Sequence, residues 1–368
     1  MSAWDIYPAN YREREIKVLL SYVKAGECAA LIGLSGSGKS NLLGFIANRL
    51  APLEKSITFK LVDGNRLVDA SREAFFQMLV QTLGPTTGLS TPSTRDGLGL
   101  LEATLEQHLS KSAGVCLLLD RFDALYSALD FSTLASNLRA LRDHFKYQLT
   151  YVIGVRRPID DHTELAELFF GHTLWLGPMS KDDALWSARR DAMRFAALSQ
   201  STWDEPMLEK LVEISWGYPA LLRAVCEAYA GGTQVVLEKL MEHPAVIRRV
   251  EEFWADKPSA EMIRLAGLEG QPLLQAKNQI VTGAELNSTE LTAKEHLLLE
   301  YFQIHNDVVC TKDELVHAVW PEDVIFEQGI RDESLAQLVR RLRVKIEPNP
   351  TEPRYIHTIP GRGYLFRA

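Results

Sequence analysis

The sequence predicts an α/β protein. A parallel sheet should come first, then an all-helical segment, then a small terminal domain of three helices and a hairpin. Three observations predict this. Apolar runs rich in branched residues alternate with 3.6-residue helical periodicity through about residue 178. From Lys181 to about Trp254 the strand signal stops and only helical periodicity remains. The pattern changes once more in the last 80 residues.

The first strand is ECAALIGL (27–34), and four more come after it: ITFKLV (57–62), GVCLLLD (114–120), LTYVIGV (149–155) and TLWL (173–176). Between them, NLLGFIANRL, EAFFQMLVQTL, LEATLEQHL and FSTLASNLRALRDHF read as amphipathic helices. The turn-rich stretch 84–97 reads as a loop. The later helices are KDDALWSARRDAMRFAAL, DEPMLEKLVEI and YPALLRAVCEAYA. Beyond Trp254 the chain is punctuated by DKPSAE and GLEGQP. The expected domains are therefore 1–178, a helical lid at 179–258, a linker or short subdomain at 259–288, and a terminal domain at 289–368.

A 46% hydrophobic content with 24% charge excludes a mostly disordered chain. No apolar run approaches the roughly 20 residues that span a bilayer, so no membrane is expected. The polar start MSAWDIYPANYREREI carries no signal core, and the chain is expected to be cytoplasmic. Cys28, Cys116, Cys226 and Cys310 lie far apart, without metal-ligand spacing, and read as buried reduced thiols. The seven tryptophans read as packing anchors. The histidines form no nucleophile–base pattern. A net charge of −8 leaves no general basic footprint, so nucleic-acid binding would need a local patch.

The strongest motif comes directly after the first strand. Gly33-Leu34-Ser35-Gly36-Ser37-Gly38-Lys39-Ser40 fits G-x-x-x-x-G-K-[ST] and opens a helix at Asn41. Such a pattern arises by chance in on the order of one chain in a hundred of this length. A triphosphate needs many converging backbone amides, and glycines let the backbone approach it. Lys39 is expected to reach the β and γ phosphates of ATP, and Ser40 to hold Mg2+. About 80 residues later Val115–Leu119 ends in Asp120, followed by Arg121-Phe122-Asp123. A buried strand that delivers a carboxylate to its tip suits a magnesium site in the sheet-end crevice.

Together these parts resemble the additional-strand P-loop NTPases, and within them the STAND and AAA+ groups. The resemblance implies that Arg156, after the TYVIGV strand, senses the γ-phosphate. It implies that Arg12, in Tyr11-Arg12-Glu13-Arg14-Glu15, lies in a segment that closes over the base. It implies that Pro219 of Gly217-Tyr218-Pro219 faces adenine. Two departures matter. Arg121 stands where many AAA+ enzymes place a glutamate base, leaving Asp123 as the nearest substitute. Ala220 stands where the AAA+ lid supplies its second arginine sensor. Both favour a slow hydrolytic switch over a fast motor.

At the other end, Thr292-Ala-Lys-Glu295 and Thr311-Lys-Asp-Glu314 are capping boxes that each open a helix. The loop PEDVIFEQG leads into DESLAQLVRRLRVKIE, and PRYIHTIPGRGYLFRA alternates as two strands. Leu335, Val339, Leu342 and Ile346 share one face of the third helix and should be core. Gln337, Arg340 and Val344 point away, with Ser334 and Arg341 at the edge. That face would enter a major groove of double-stranded DNA, where arginine takes guanine and glutamine adenine. Arg343 and Lys345 flank it for phosphate, and Arg362 sits at the hairpin tip. LTAKE, VW at Trp320, RLRVK and YIHTIPGRGY resemble the OmpR/PhoB-type winged helix-turn-helix domain. Pro360, where that family often has a basic residue, and Glu333 on the groove side weaken the DNA reading. A winged helix that binds protein stays open.

The reading is an ATP-dependent, switch-like DNA-binding regulator of transcription. ATP with Mg2+ would hold core and lid closed, and hydrolysis at Asp120 and Asp123 would release them. Self-association and a protein signal partner are further expectations. The alternatives are a DNA-handling ATPase of the replication-initiation or transposition type, and a signalling or defence scaffold.

Overall fold

The computed structural model describes residues 4–67, 71–84, 97–125, 131–159, 164–195, 201–281, 292–305, 307–320, 328–347, 353 and 355–367, without the side chains of 277–281, 293 and 328–333. Most of the expected loop 84–97, His162, most of the loop PEDVIFEQG and the Glu333 side chain lie outside the described residues.

The elements begin with α1 (Glu13–Lys24), β1 (Ala29–Ile32), α2 (Lys39–Phe45), β2 (Ile57–Asp63), α3 (Arg72–Leu83) and α4 (Gly97–Leu109). Then come β3 (Gly114–Asp120), α5 (Phe131–Phe145), β4 (Leu149–Val155) and β5 (Thr173–Trp175). The five strands form one parallel sheet in the order β2-β3-β4-β1-β5. β4 thus lies between β1 and β3, the inserted strand that the resemblance implies. All residues of β1, β3 and β4 are buried, which explains why their sequences are continuous apolar runs rather than alternating ones. Helix α1 packs on β1, β4 and β5, and α3 and α4 pack on the β2 and β3 side. Phe75, Phe76, Leu79, Leu101 and Leu105 fill that layer.

Helix α2 is shorter than the periodicity of NLLGFIANRL suggests. It widens into a π-helical turn at Ile46–Leu50, where Asn48 Nδ2 donates to the Gly44 carbonyl at 2.8 Å. Pro52 then lies in a closing turn, Ala51–Leu53.

The segment expected as the lid comprises α6 (Lys181–Phe195), α7 (Glu205–Ser215), α8 (Pro219–Ala230), α9 (Leu237–Leu240) and α10 (Pro244–Ala255). Helix α8 is its centre, with α6, α7 and α10 packed around Leu221, Leu222, Val225 and Cys226. Two further helices come next, α11 (Ala260–Leu265) and α12 (Pro272–Val281). The chain divides into two compact units, Met1–Leu273 and Leu274–Ala368. The division falls inside the segment expected as a linker. Its first half belongs with the core and lid, because Gln271 Nε2 donates to the Ile214 carbonyl at 2.9 Å and Gly177 packs on the Ala266 carbonyl.

The second unit holds α13 (Ala293–Ile304), β6 (Val309–Cys310), α14 (Lys312–Val319), α15 (Gln328–Ile346), β7 (Ile356–Ile359) and β8 (Gly363–Phe366). The strands form an antiparallel sheet, β6-β8-β7. Both capping boxes are present, at Thr292/Glu295 and Thr311/Glu314. Leu335, Val339, Leu342 and Ile346 are buried in one core with Phe302 and Tyr364. The four cysteines are free and buried. Among the described residues, no helix is long and apolar enough to cross a membrane.

Candidate functional site

The phosphate-binding loop leaves the C-terminal end of β1 and is pinned there. The Gly33 amide donates to the Val155 carbonyl of β4 at 3.1 Å. Gly36 and Gly38 take positive φ, 84° and 92°, a region that side chains with a Cβ seldom adopt. Gly38 is the N-cap of α2, so the positive end of that helix opens on the loop. Lys39 Nζ donates to the loop's own Gly33 and Leu34 carbonyls. Burial pushes the Lys39 ammonium down to about 8. Asp123, Asp120 and Asp256 oppose that shift, and Arg156 reinforces it.

A cleft of about 770 Å³ opens above the loop. Ser35, Gly36, Gly38, Lys39, Ser40 and Asn41 form its floor, and Arg121, Asp123 and Arg156 contribute from the ends of β3 and β4. Most of the expected phosphate-site residues therefore meet in one place. Asp120 is buried at the tip of β3 and accepts the Arg121 amide at 3.0 Å. It acts on Lys39 through its charge. Arg156 Nη1 donates to Asp256 Oδ1 at 2.6 Å, and its Nε lies 3.8 Å from Asp123 Oδ2.

The lid docks directly on the loop. Tyr218 donates its hydroxyl proton to the Ser35 carbonyl at 2.8 Å, and the Ala220 amide donates to the Gly36 carbonyl at 3.1 Å. Burial raises the Tyr218 pKa, keeping the phenol a donor. The Pro219 ring covers Gly38: a Cβ there would lie 3.4 Å from Pro219 Cγ. Ala220, the position without an arginine, thus seats the lid on the loop. Sequence reasoning missed four residues that line the cleft from the second half of α10 and its C-cap, Arg249, Glu252, Ala255 and Asp256. No local motif marks them. The only trace in the sequence is a charged helix end, which many surface helices share.

Arg12 is only 2% exposed, and both terminal guanidinium nitrogens are engaged, Nη1 also reaching Glu15 Oε1 at 3.4 Å. It donates to the carbonyls of Pro178 (2.9 Å), Gly177 (3.0 Å) and Ser37 (3.3 Å), while its backbone amide meets Asp183 Oδ2. It joins the amino-terminal segment, the loop, the hinge and the first lid helix. Asn41 is likewise held by neighbours: it accepts from the Tyr7 hydroxyl at 2.8 Å and donates to the Tyr11 oxygen at 2.9 Å.

In the second unit, Ser334, Gln337, Arg340 and Arg341 are exposed along α15, as is Arg362 at the hairpin tip. Val344 is 63% exposed on the same helix. The two flanking cations are placed differently. Arg343 donates through Nε and Nη2 to the Ile356 carbonyl and through Nη2 to Thr358 Oγ1. Lys345 pairs with the buried Glu295 at 2.7 Å. For Glu295, burial alone would raise the pKa; the Lys345 and Thr292 bonds outweigh it and leave the net value lowered.

Residues 11–220, more than half of the chain, match the family model for Novel STAND NTPase 1. Residues 286–366 match the model for Transcriptional regulatory protein, C terminal. Among curated proteins, the chain is 33% identical over 121 residues to the uncharacterized transcriptional regulatory protein YcbL of Bacillus subtilis, covering 33% of this chain and 50% of that one. It is 30% identical over 122 residues to the phosphate regulon transcriptional regulatory protein PhoB of Escherichia coli, covering 33% and 47%. The chain spans about half the length of the curated relatives it matches. Among solved structures, the Walker-type ATPase PABY2304 of Pyrococcus abyssi aligns over 99% of this chain and 96% of that one, with 15% identity and a TM-score of 0.45.

Proposed function

Because the chain belongs to the Novel STAND NTPase 1 family, we propose that it is an ATP-dependent, switch-like DNA-binding regulator of transcription. One observation carries the reading. A cleft floored by a phosphate-binding loop and a winged helix with an exposed polar face on its third helix occur in the same chain.

The cleft fits a nucleotide's phosphates. The loop and the start of α2 line it, and Lys39 is a half-buried cation whose hydrogen bonds go to loop carbonyls. In this proposal Gly33, Ser35, Gly36, Ser37, Gly38 and Lys39 bind ATP through backbone and ammonium. Ser40 and Asp120 hold Mg2+, with Asn41 beside them. Magnesium would neutralise phosphate charge. Asp123 orients a water slowly, since Arg121 occupies the usual position of the base, and Arg156 meets the γ-phosphate. Arg12 and Pro219 act by fixing the loop and lid around the nucleotide.

The DNA proposal rests on Ser334, Gln337, Arg340, Arg341 and Arg362, which are exposed; in this proposal they are the residues that meet a groove. Arg343 and Lys345 support the helix from below rather than from its exposed face. The lid position is the signal passed to the reader, and pairing of two chains on adjacent half-sites is part of the proposal.

Selection of bound fragments from random duplex DNA, with ATP, with ADP and without nucleotide, tests the reading. A defined sequence recovered in a nucleotide-dependent way supports it. Failure to enrich any sequence, with no salt-dependent retention, moves the winged helix to protein binding.

A further inference from the structure

We infer that Asp256, at the C-terminal end of α10, is the residue that distinguishes a nucleoside triphosphate from a diphosphate. It holds Arg156 while the γ-phosphate is absent and surrenders it, together with the helix end, when the γ-phosphate arrives. The inference rests on the proposed nucleotide site and deepens it.

Asp256 is 100 residues from Arg156 in the chain, yet the two side chains meet at 2.6 Å across the cleft. Arg157 donates to the Asp256 backbone carbonyl, so two consecutive arginines of the core grip one end of the lid. Asp256 is the C-cap of α10, and helix C-termini carry partial negative charge. The carboxylate adds a full charge at the same point. Its second oxygen, Oδ2, is buried and without a hydrogen-bond partner. Arg156 is the side-chain cation paired directly with this half-buried carboxylate, so drawing it away leaves the Asp256 charge poorly compensated at the helix end.

Arg156 therefore serves two anions of the protein, Asp256 closely and Asp123 at 3.8 Å. A γ-phosphate above Lys39 would enter the same cleft and carry more charge than either. It would draw Arg156 away and stand beside Asp256 as a like charge. Both effects expel the end of α10. A diphosphate supplies neither and leaves the contact intact. Glu252, one turn earlier, does not replace Arg156 as a partner for Asp256, because it is an anion itself and is bound to Arg249 and Arg248. The consequence is directional. At this end of the lid the triphosphate releases rather than clasps, opposite to the closing role expected from sequence.

The test uses the full chain with Mg2+ and two probes, ADP and the slowly hydrolysed ATPγS. In Asp256→Asn, which keeps the shape and removes the charge, ATPγS should bind about tenfold more tightly, with ADP altered less than about twofold. Hydrogen exchange on the unaltered protein gives a second readout. ATPγS should speed exchange in 250–257 relative to ADP. Equal shifts for both nucleotides in the variant, or slower exchange in 250–257 with ATPγS, overturn the inference while leaving the nucleotide site intact. Binding of neither nucleotide to the unaltered chain overturns the site reading and the inference with it.

Discussion

Lys39 shows how one residue sets a measurable property of the site. Its half-buried ammonium donates to loop carbonyls, and desolvation pushes its pKa down to about 8. Bound phosphates favour the charged form, so the pKa in the complex must be higher than in the free site. Between the two values binding takes up a proton. Nucleotide affinity should be flat below pH 8 and should weaken as pH rises through about 8, approaching about tenfold per pH unit. Calorimetric titration of ATPγS across pH checks this. In Lys39→Arg, which keeps its charge throughout, the remaining affinity should lose that pH dependence. Arg12 shows what a motif leaves unstated: beside the segment its neighbours in sequence suggest, its guanidinium donates to the carbonyls of Ser37, Gly177 and Pro178 and to Glu15.

The elements were legible to different depths, for physical reasons. β3 and β4 were readable because strands covered on both faces demand unbroken apolar runs, and GVCLLLD and LTYVIGV have them. The phosphate-binding loop was readable because its function depends on backbone conformation, which its own glycines dictate. Asp256 and Arg249 were not readable, since only the packing of α10 against α8 brings them to the loop. The contact between loop and lid can be tested as a unit. A Cβ at Gly36 would lie 2.4 Å from Ala220 Cβ, and its φ is also unfavourable. Gly36→Ala should therefore cost about 2–4 kcal/mol of stability and weaken nucleotide binding. Adding Ala220→Gly should recover part of that loss, the steric part, in a double-mutant cycle of denaturant unfolding. On α15 the same reasoning separates two arginines. Arg340→Ala should leave the unfolding midpoint nearly unchanged and weaken DNA binding. Arg343→Ala should lower the midpoint of the C-terminal unit, because it strips donors from Ile356 and Thr358. Thermal unfolding alongside DNA titration distinguishes them.

At the scale of the whole molecule, the order of the modules was legible in sequence, but their seam was placed loosely. The segment 259–288 looks like a linker because of its prolines and glycines, whereas its first half caps the core and lid through Gln271 and Ala266. The boundary between the two compact units falls in the chain between Leu273 and Leu274. A signal from the nucleotide passes, in the proposed switch, from the first of these units to the second. In the proposed switch, occupancy of the phosphate loop governs DNA binding by the distal unit. DNA affinity on a selected site, at fixed salt, decides the matter when measured with ATPγS, ADP or no nucleotide, for the unaltered chain and for Lys39→Ala. A difference of at least about tenfold between nucleotide states is expected in the unaltered chain, collapsing to one common affinity in the variant. Equal DNA affinity in all nucleotide states of the unaltered chain, despite bound nucleotide, would contradict the switch.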